Sequence, residues 1–125
     1  MKLIELYSAN SLYDKLSSRT DLPIKTVYKL AKFFEVINKE SEFYKEELLK
    51  ILNIYAARDE EGKVVLTEDG QNIKIKEDCI QECNKKLQEL ANLEVEKPQI
   101  SFKLSEIPEG LSVQEFNLLL PFVEE

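Results

Sequence analysis

The apolar positions of the chain are most regular in its first half. Val27, Leu30, Phe34, Ile37, Ser41, Tyr44, Leu48, Ile51 and Tyr55 step alternately by three and four. Such steps keep side chains on one face of an α-helix, and their repetition forms a heptad seam. Ser41 is the polar member of that seam. Ala31, Phe33, Phe43 and Leu52 widen the stripe, so the helix buries more than a narrow ridge. Lys29, Lys32, Lys39, Glu42, Glu46 and Lys50 lie opposite, with Glu46 and Lys50 at helix-pair spacing. Thr20 or Asp21 can cap the helix, and Pro23 suits its first turn. The pattern predicts one helix over roughly residues 24–58.

The remaining segments are shorter. Leu3, Ile4, Leu6 and Tyr7, broken by Glu5, read as a strand over Met1–Tyr7. Ser8 to Asp21 is turn-rich, with Leu12, Tyr13 and Leu16 as anchors. Lys63–Leu66 and Asn72–Ile75 are rich in β-branched residues and flank the turn-forming Asp69-Gly70, which predicts a β-hairpin. Glu77 and Asp78 suit a helix start, and Ile80, Cys83, Leu87 and Leu90 carry that second helix to about Asn92. Ile100, Phe102 and Leu104 alternate, predicting a strand over Gln99–Leu104 behind Pro98. After the Ile107–Gly110 turn, Ser112 and Glu115 form a capping-box pattern for a last helix, which Pro121 closes.

Together these elements predict an α+β fold of one domain, residues 1–125. Its frame is a long antiparallel helical hairpin. A β-hairpin sits at the tip of that frame, and the N- and C-terminal segments form a small sheet. The first helix would be about 50 Å long and the second about 25 Å, so the second covers only half of the first. The Val27–Ile37 half needs the terminal segments, or a second copy of the chain, as cover.

Composition narrows the chemistry. Among 125 residues there is no histidine, which removes histidine-activated nucleophiles and histidine-ligated metals. Two cysteines, Cys79 and Cys83, suit a reducing compartment better than a disulfide scaffold. The net charge of −7, with Lys and Arg interleaved among acids, disfavours nucleic acid and anionic lipid. No stretch is apolar enough for a membrane span, and Glu5 argues against a signal peptide. The expected compartment is the cytoplasm.

The densest carboxylates lie between Arg58 and Asp78, around Gly62 and Gly70. A calcium loop wants oxygen ligands at positions 1, 3 and 5, Gly at 6 and Glu at 12. Placing Gly62 at position 6 puts Ala57 at position 1, and placing Gly70 there puts Val65 at 1 and Lys76 at 12, so both fail. Paired carboxylates such as Glu60 with Glu68, or Asp59 with Asp69, need a desolvated pocket for acid–base work. A hairpin tip offers none. Cys79 and Cys83 share a helix face but lack the further ligands zinc requires. No cofactor, metal or catalytic residue is expected. Partner-binding candidates are the off-seam aromatics Tyr28 and Phe43 and the acids Asp59, Glu60, Glu61, Glu68 and Asp69.

Several segments resemble a family of short proteins of tailed bacteriophages and prophages. They are "LPIKTVYKLAKF" opening the long helix, "YAARDEEGKVV" near its end, "ECNKKLQELANLEVE" and "ISFKLSEIPEGLSVQEFNLLLPFVEE". The resemblance runs from about Leu22 to the end and rests on helix and turn signals. The family has no assigned function, and the resemblance transfers no functional residue. It implies a phage-encoded accessory protein. The expected function is non-enzymatic protein–protein binding that modulates a host protein. One alternative is a virion or assembly component that homo-oligomerises through the long helix. Another is a protein that sequesters nucleotides.

Overall fold

The structure is a computed structural model and describes residues 1–124. It is helical, with elements α1 (Leu3–Ala9), α2 (Tyr13–Ser17), α3 (Ile24–Tyr55), α4 (Ile80–Ala91) and α5 (Val113–Leu119). Short 3₁₀ turns lie at Asn10–Leu12, Glu77–Cys79, Leu104–Glu106 and Leu120–Phe122.

Three expectations are overturned. The N-terminal segment is a helix, not a strand. Leu3, Leu6, Ala9 and Leu12 are all buried, and their spacing of three is helical. Gln99–Leu104 is not a strand either. It makes one isolated bridge, Phe102 to Val123, through Phe102 N to Phe122 O at 2.9 Å and Glu124 N to Phe102 O at 2.7 Å. The N-terminus bridges instead to the segment after α4, at Lys2–Glu94. No terminal sheet forms among the described residues.

The expected β-hairpin at the tip is the third correction, and its reason is geometric. Three extended segments converge there rather than two. Ala57 N donates to Lys74 O, Lys74 N to Val65 O, and Val65 N to Ala57 O, at 2.8, 2.9 and 2.8 Å. This is a closed ring of three backbone bonds. Each residue gives its N–H to one neighbour and its C=O to the other. A ladder needs successive pairs between the same two segments. Here each pair of segments makes a single bridge: Ala56–Ile75, Arg58–Val64 and Leu66–Ile73. The third segment comes from the end of the first helix, which stops at Tyr55 rather than near 58. Arg58 replaces the lost turn, donating to Asn53 O at 3.4 Å and Gly62 O at 3.0 Å.

α4 runs back along the C-terminal half of α3. Its first turn faces Tyr55, whose hydroxyl is pushed to higher pKa by desolvation and then by Glu82. Beyond its far end, Leu93 O accepts from Leu3 N at 2.9 Å, opening α1. α1 in turn crosses α3, placing the Tyr7 ring 4.4 Å from that of Tyr44.

The core lies on the other half of α3. Phe33 is fully buried among Phe34, Phe102 and Phe122, with centroids 5.2, 5.3 and 4.8 Å away. The interplanar angles of 72–79° are the edge-to-face geometry that aromatic quadrupoles favour. Leu6, Ala9, Leu12, Leu16, Leu30, Ile37 and Leu119 complete the cluster. Within the Val27–Ile37 half, segments of the chain itself cover Leu30, Phe33, Phe34 and Ile37, while Val27 stays 40% exposed.

Candidate interaction surfaces

α3 enters the fold with its outer face uncovered. Ile24 is 80% exposed and Tyr28 65%, although Phe33 and Phe34 a turn later are buried. Pro23 in extended backbone begins the helix, and Val27 N returns to Pro23 O at 3.0 Å. Spacing of four places Ile24 and Tyr28 side by side. Tyr28 forms a ridge between two hollows. One is lined by Ile24, Lys25, Lys29, Lys103 and Glu106, the other by Lys29, Lys32, Ile100, Ser101 and Glu124.

The charge here is opposite to that of the whole chain. Residues 24–32 hold Lys25, Lys29 and Lys32 and no acid, and Lys103 stands across the hollow. Lys29 is engaged, donating to Glu106 at 2.9 Å and Ser101 O at 3.2 Å. That lysine, with Lys103 N, holds the Glu106 carboxyl below the usual carboxylate range. The Lys32 ammonium lies 5.8 Å from the Tyr28 ring centroid, in cation–π range, and 3.8 Å from Glu35. Lys25 and Lys103 have no ion pair among the described residues.

The acidic tip divides its carboxylates between two tasks. Asp59 accepts from Glu61 N and Lys63 N, both at 2.9 Å, and closes the turn at Gly62. Asp69 accepts from the Thr67 hydroxyl and from Gln71 N, which lowers its pKa and shapes the turn at Gly70. Both glycines have positive φ, 81° and 72°, which an L side chain rarely adopts. Glu60, Glu61 and Glu68 are left on the outside, with Lys63 3.5 Å from Glu61. Among the described residues no group of three or more acids or thiols is placed to hold a metal ion.

The sequence candidates thus fall into three places. Tyr28 stands on the basic face at the start of α3. Phe43 is 44% exposed but fifteen residues further on, about 22 Å along the axis, and shares no surface with Tyr28. Asp59, Glu60 and Glu61 share one tip turn, and Glu68 and Asp69 the next. Of these, Asp59 and Asp69 shape the loop. Ile24, Lys25 and Lys103 were missed by sequence reasoning. The available signal was the acid-free run 24–32, hidden by the interleaving of charges elsewhere.

The other polar features lie in packing. Cys83 is 1% exposed and burial pushes its thiol up, while Cys79 is raised by desolvation and then by Asp78. Both thiols are free and poorly ionised at neutral pH. Ser41 is 1% exposed, and its hydroxyl has no hydrogen-bond partner among the described residues. A groove of about 370 Å³ runs between α2 and α3, with Tyr13, Leu16, Val27 and Phe34 on its walls. Arg19 at its rim is committed to Asp21, at 2.6 and 2.9 Å, and to Glu109 O.

Comparison with known protein families, with curated proteins and with solved structures gives no match. No helix among the described residues is long and apolar enough to cross a membrane.

Proposed function

We propose that this protein acts by binding another protein, without catalysis, and that the partner engages the Tyr28 face. The observation that carries this reading is the exposure of Ile24 and Tyr28, 80% and 65%, at the start of a helix whose next aromatics are buried. Exposed aromatic and aliphatic anchors beside polar rims are the usual centres of protein interfaces. The tip carboxylates support the non-catalytic part, because Asp59 and Asp69 spend their acceptor capacity on the backbone. The unpaired, poorly ionised cysteines suit the cytoplasm. The phage setting rests on the sequence resemblance alone. It makes a host regulator or a virion protein the partner class.

The test is capture from bacterial lysate with the tagged chain. A specific partner should be lost when Ile24→Ser and Tyr28→Ala are combined. It should be kept with Ile54→Ser, a change at a residue 70% exposed on the far end of α3. Retention by the Ile24/Tyr28 variant would sink the reading.

A further inference from the structure

We infer that the acidic tip of one copy docks on the Tyr28 face of another, so that the chain associates head to tail. This rests on the reading of the Tyr28 face as a binding surface and adds a second copy of the chain as an occupant beside the partner captured from lysate.

The two hollows hold Lys25, Lys29, Lys32 and Lys103 against Glu106 and Glu124, a net of +2, and Lys25 and Lys103 form no ion pair among the described residues. Residues 56–78 of the tip hold four basic residues (Arg58, Lys63, Lys74, Lys76) against seven acids (Asp59, Glu60, Glu61, Glu68, Asp69, Glu77, Asp78), a net of −3. Glu60 and Glu68 have no ion pair among the described residues either. Unbalanced charge of opposite sign therefore stands at the two ends of one helix.

That helix has 32 residues and spans about 48 Å, so the tip cannot reach the face of its own chain. Satisfying both ends requires a second molecule. With a net charge of −7, copies repel in most orientations. The orientation that brings the lysines to the glutamates is the one relieved of that repulsion, which selects register as well as partner.

Apolar contact adds to charge. Leu66 at the tip is 52% exposed and can meet Ile24 and Tyr28. The Asp59 and Asp69 turns fix the tip loops before contact, which lowers the ordering cost of association. The two surfaces differ, so the contact is heterologous and extends into short chains rather than closing as a two-fold dimer. Both patches are small, which places the contact among weak, transient interfaces.

The experiment is light scattering of the full chain from about 10 µM to about 1 mM, a range that brackets weak association. It is run at about 0.01 M and about 1 M salt, where the screening length falls from about 30 to about 3 Å. The weight-average mass should rise with concentration at low salt and return to the monomer value at high salt. Lys25→Glu with Lys103→Glu should remove association, and so should Glu60→Lys with Glu68→Lys. Mixing the two variants should restore it, because each then offers the charge the other lacks. Circular dichroism and melting check that both variants fold. If either does not, the neutral pair Lys25→Gln with Lys103→Gln replaces it and should weaken the rise. A wild-type mass fixed at the monomer value at low salt overturns the inference. So does a rise that ignores salt and survives both variants. A monomer result leaves lysate capture by the Tyr28 face untouched, so the two readings fail separately.

Discussion

The two halves of α3 carry the same seam and receive different cover. In the first half Leu30, Phe34 and Ile37 are buried, walled by α1, α2 and the two C-terminal segments that bring Phe102 and Phe122. In the second half Leu48, Ile51 and Tyr55 are only half-buried, because α4 is a single short neighbour. A heptad pattern specifies which face turns inward. It does not specify how many layers lie against it. That number comes from segments distant in sequence, and here they crowd one end.

The contrast can be broken by mutation. Phe33→Ala should cost about 3–5 kcal/mol, the range for an aromatic removed from a closed core. Ile51→Ala should cost about 1–2 kcal/mol, below the range for fully buried Ile, because water already reaches the site. Urea denaturation of both variants decides it. Equal losses would mean that the second half is as well covered as the first.

Native-state amide exchange sharpens the same contrast. Amides of residues 30–37 should open only with global unfolding. Amides of the tip turns, such as Gly62 and Gly70, should open by local fluctuations at lower free energy. Uniform protection across α3 and the tip would show one cooperative unit.

Ser41 marks the boundary between the halves. Its buried hydroxyl lacks a partner among the described residues. Ser41→Ala should stabilise the fold by about 1 kcal/mol, since an unsatisfied buried hydroxyl is a desolvation cost without return. A thermal melt that falls instead would show that the hydroxyl is satisfied in solution.

The smallest expected effect is on pH. Glu106 and Glu115 have pKa values lowered by hydrogen bonds, Glu106 from Lys29 and Glu115 from Lys15, which lies 2.8 Å away. A carboxyl whose folded pKa is depressed contributes stability above its unfolded pKa and loses it as pH falls through the folded value. Melting temperature should therefore decline below the ordinary glutamate range. The decline should be shallower in Glu106→Gln with Glu115→Gln. Identical slopes would assign acid sensitivity elsewhere.

Much of the helical frame was legible in the sequence. The α3 seam, the Cys83–Leu90 face of α4 and the Ser112–Glu115 capping box each follow a local rule, and the box forms as written, with Glu115 N to Ser112 Oγ at 3.1 Å. The β content was not legible. At the N-terminus, Leu3-Ile4 and Leu6-Tyr7 satisfy strand and helix patterns equally, and only Ala9 and Leu12 beyond them favour the helix. At the tip, the Val-Val-Leu and Ile-Lys-Ile runs form only isolated bridges. Their partner includes Ala57, which local pattern assigned to a helix. The basic face was hidden for a similar reason, because Lys103 joins Lys25 only through folding.

Phe33 lies 89 positions ahead of Phe122, the ring that closes over it at 4.8 Å. A ribosome makes the chain from the N-terminus, so α3 emerges long before that wall is synthesised. Until Phe102 and Phe122 are made, that apolar face has only α1 and α2 as cover. Closure of the core therefore waits for Phe102 and Phe122. A nascent chain stalled between Tyr55 and Phe102 would present that face as a natural substrate for a chaperone.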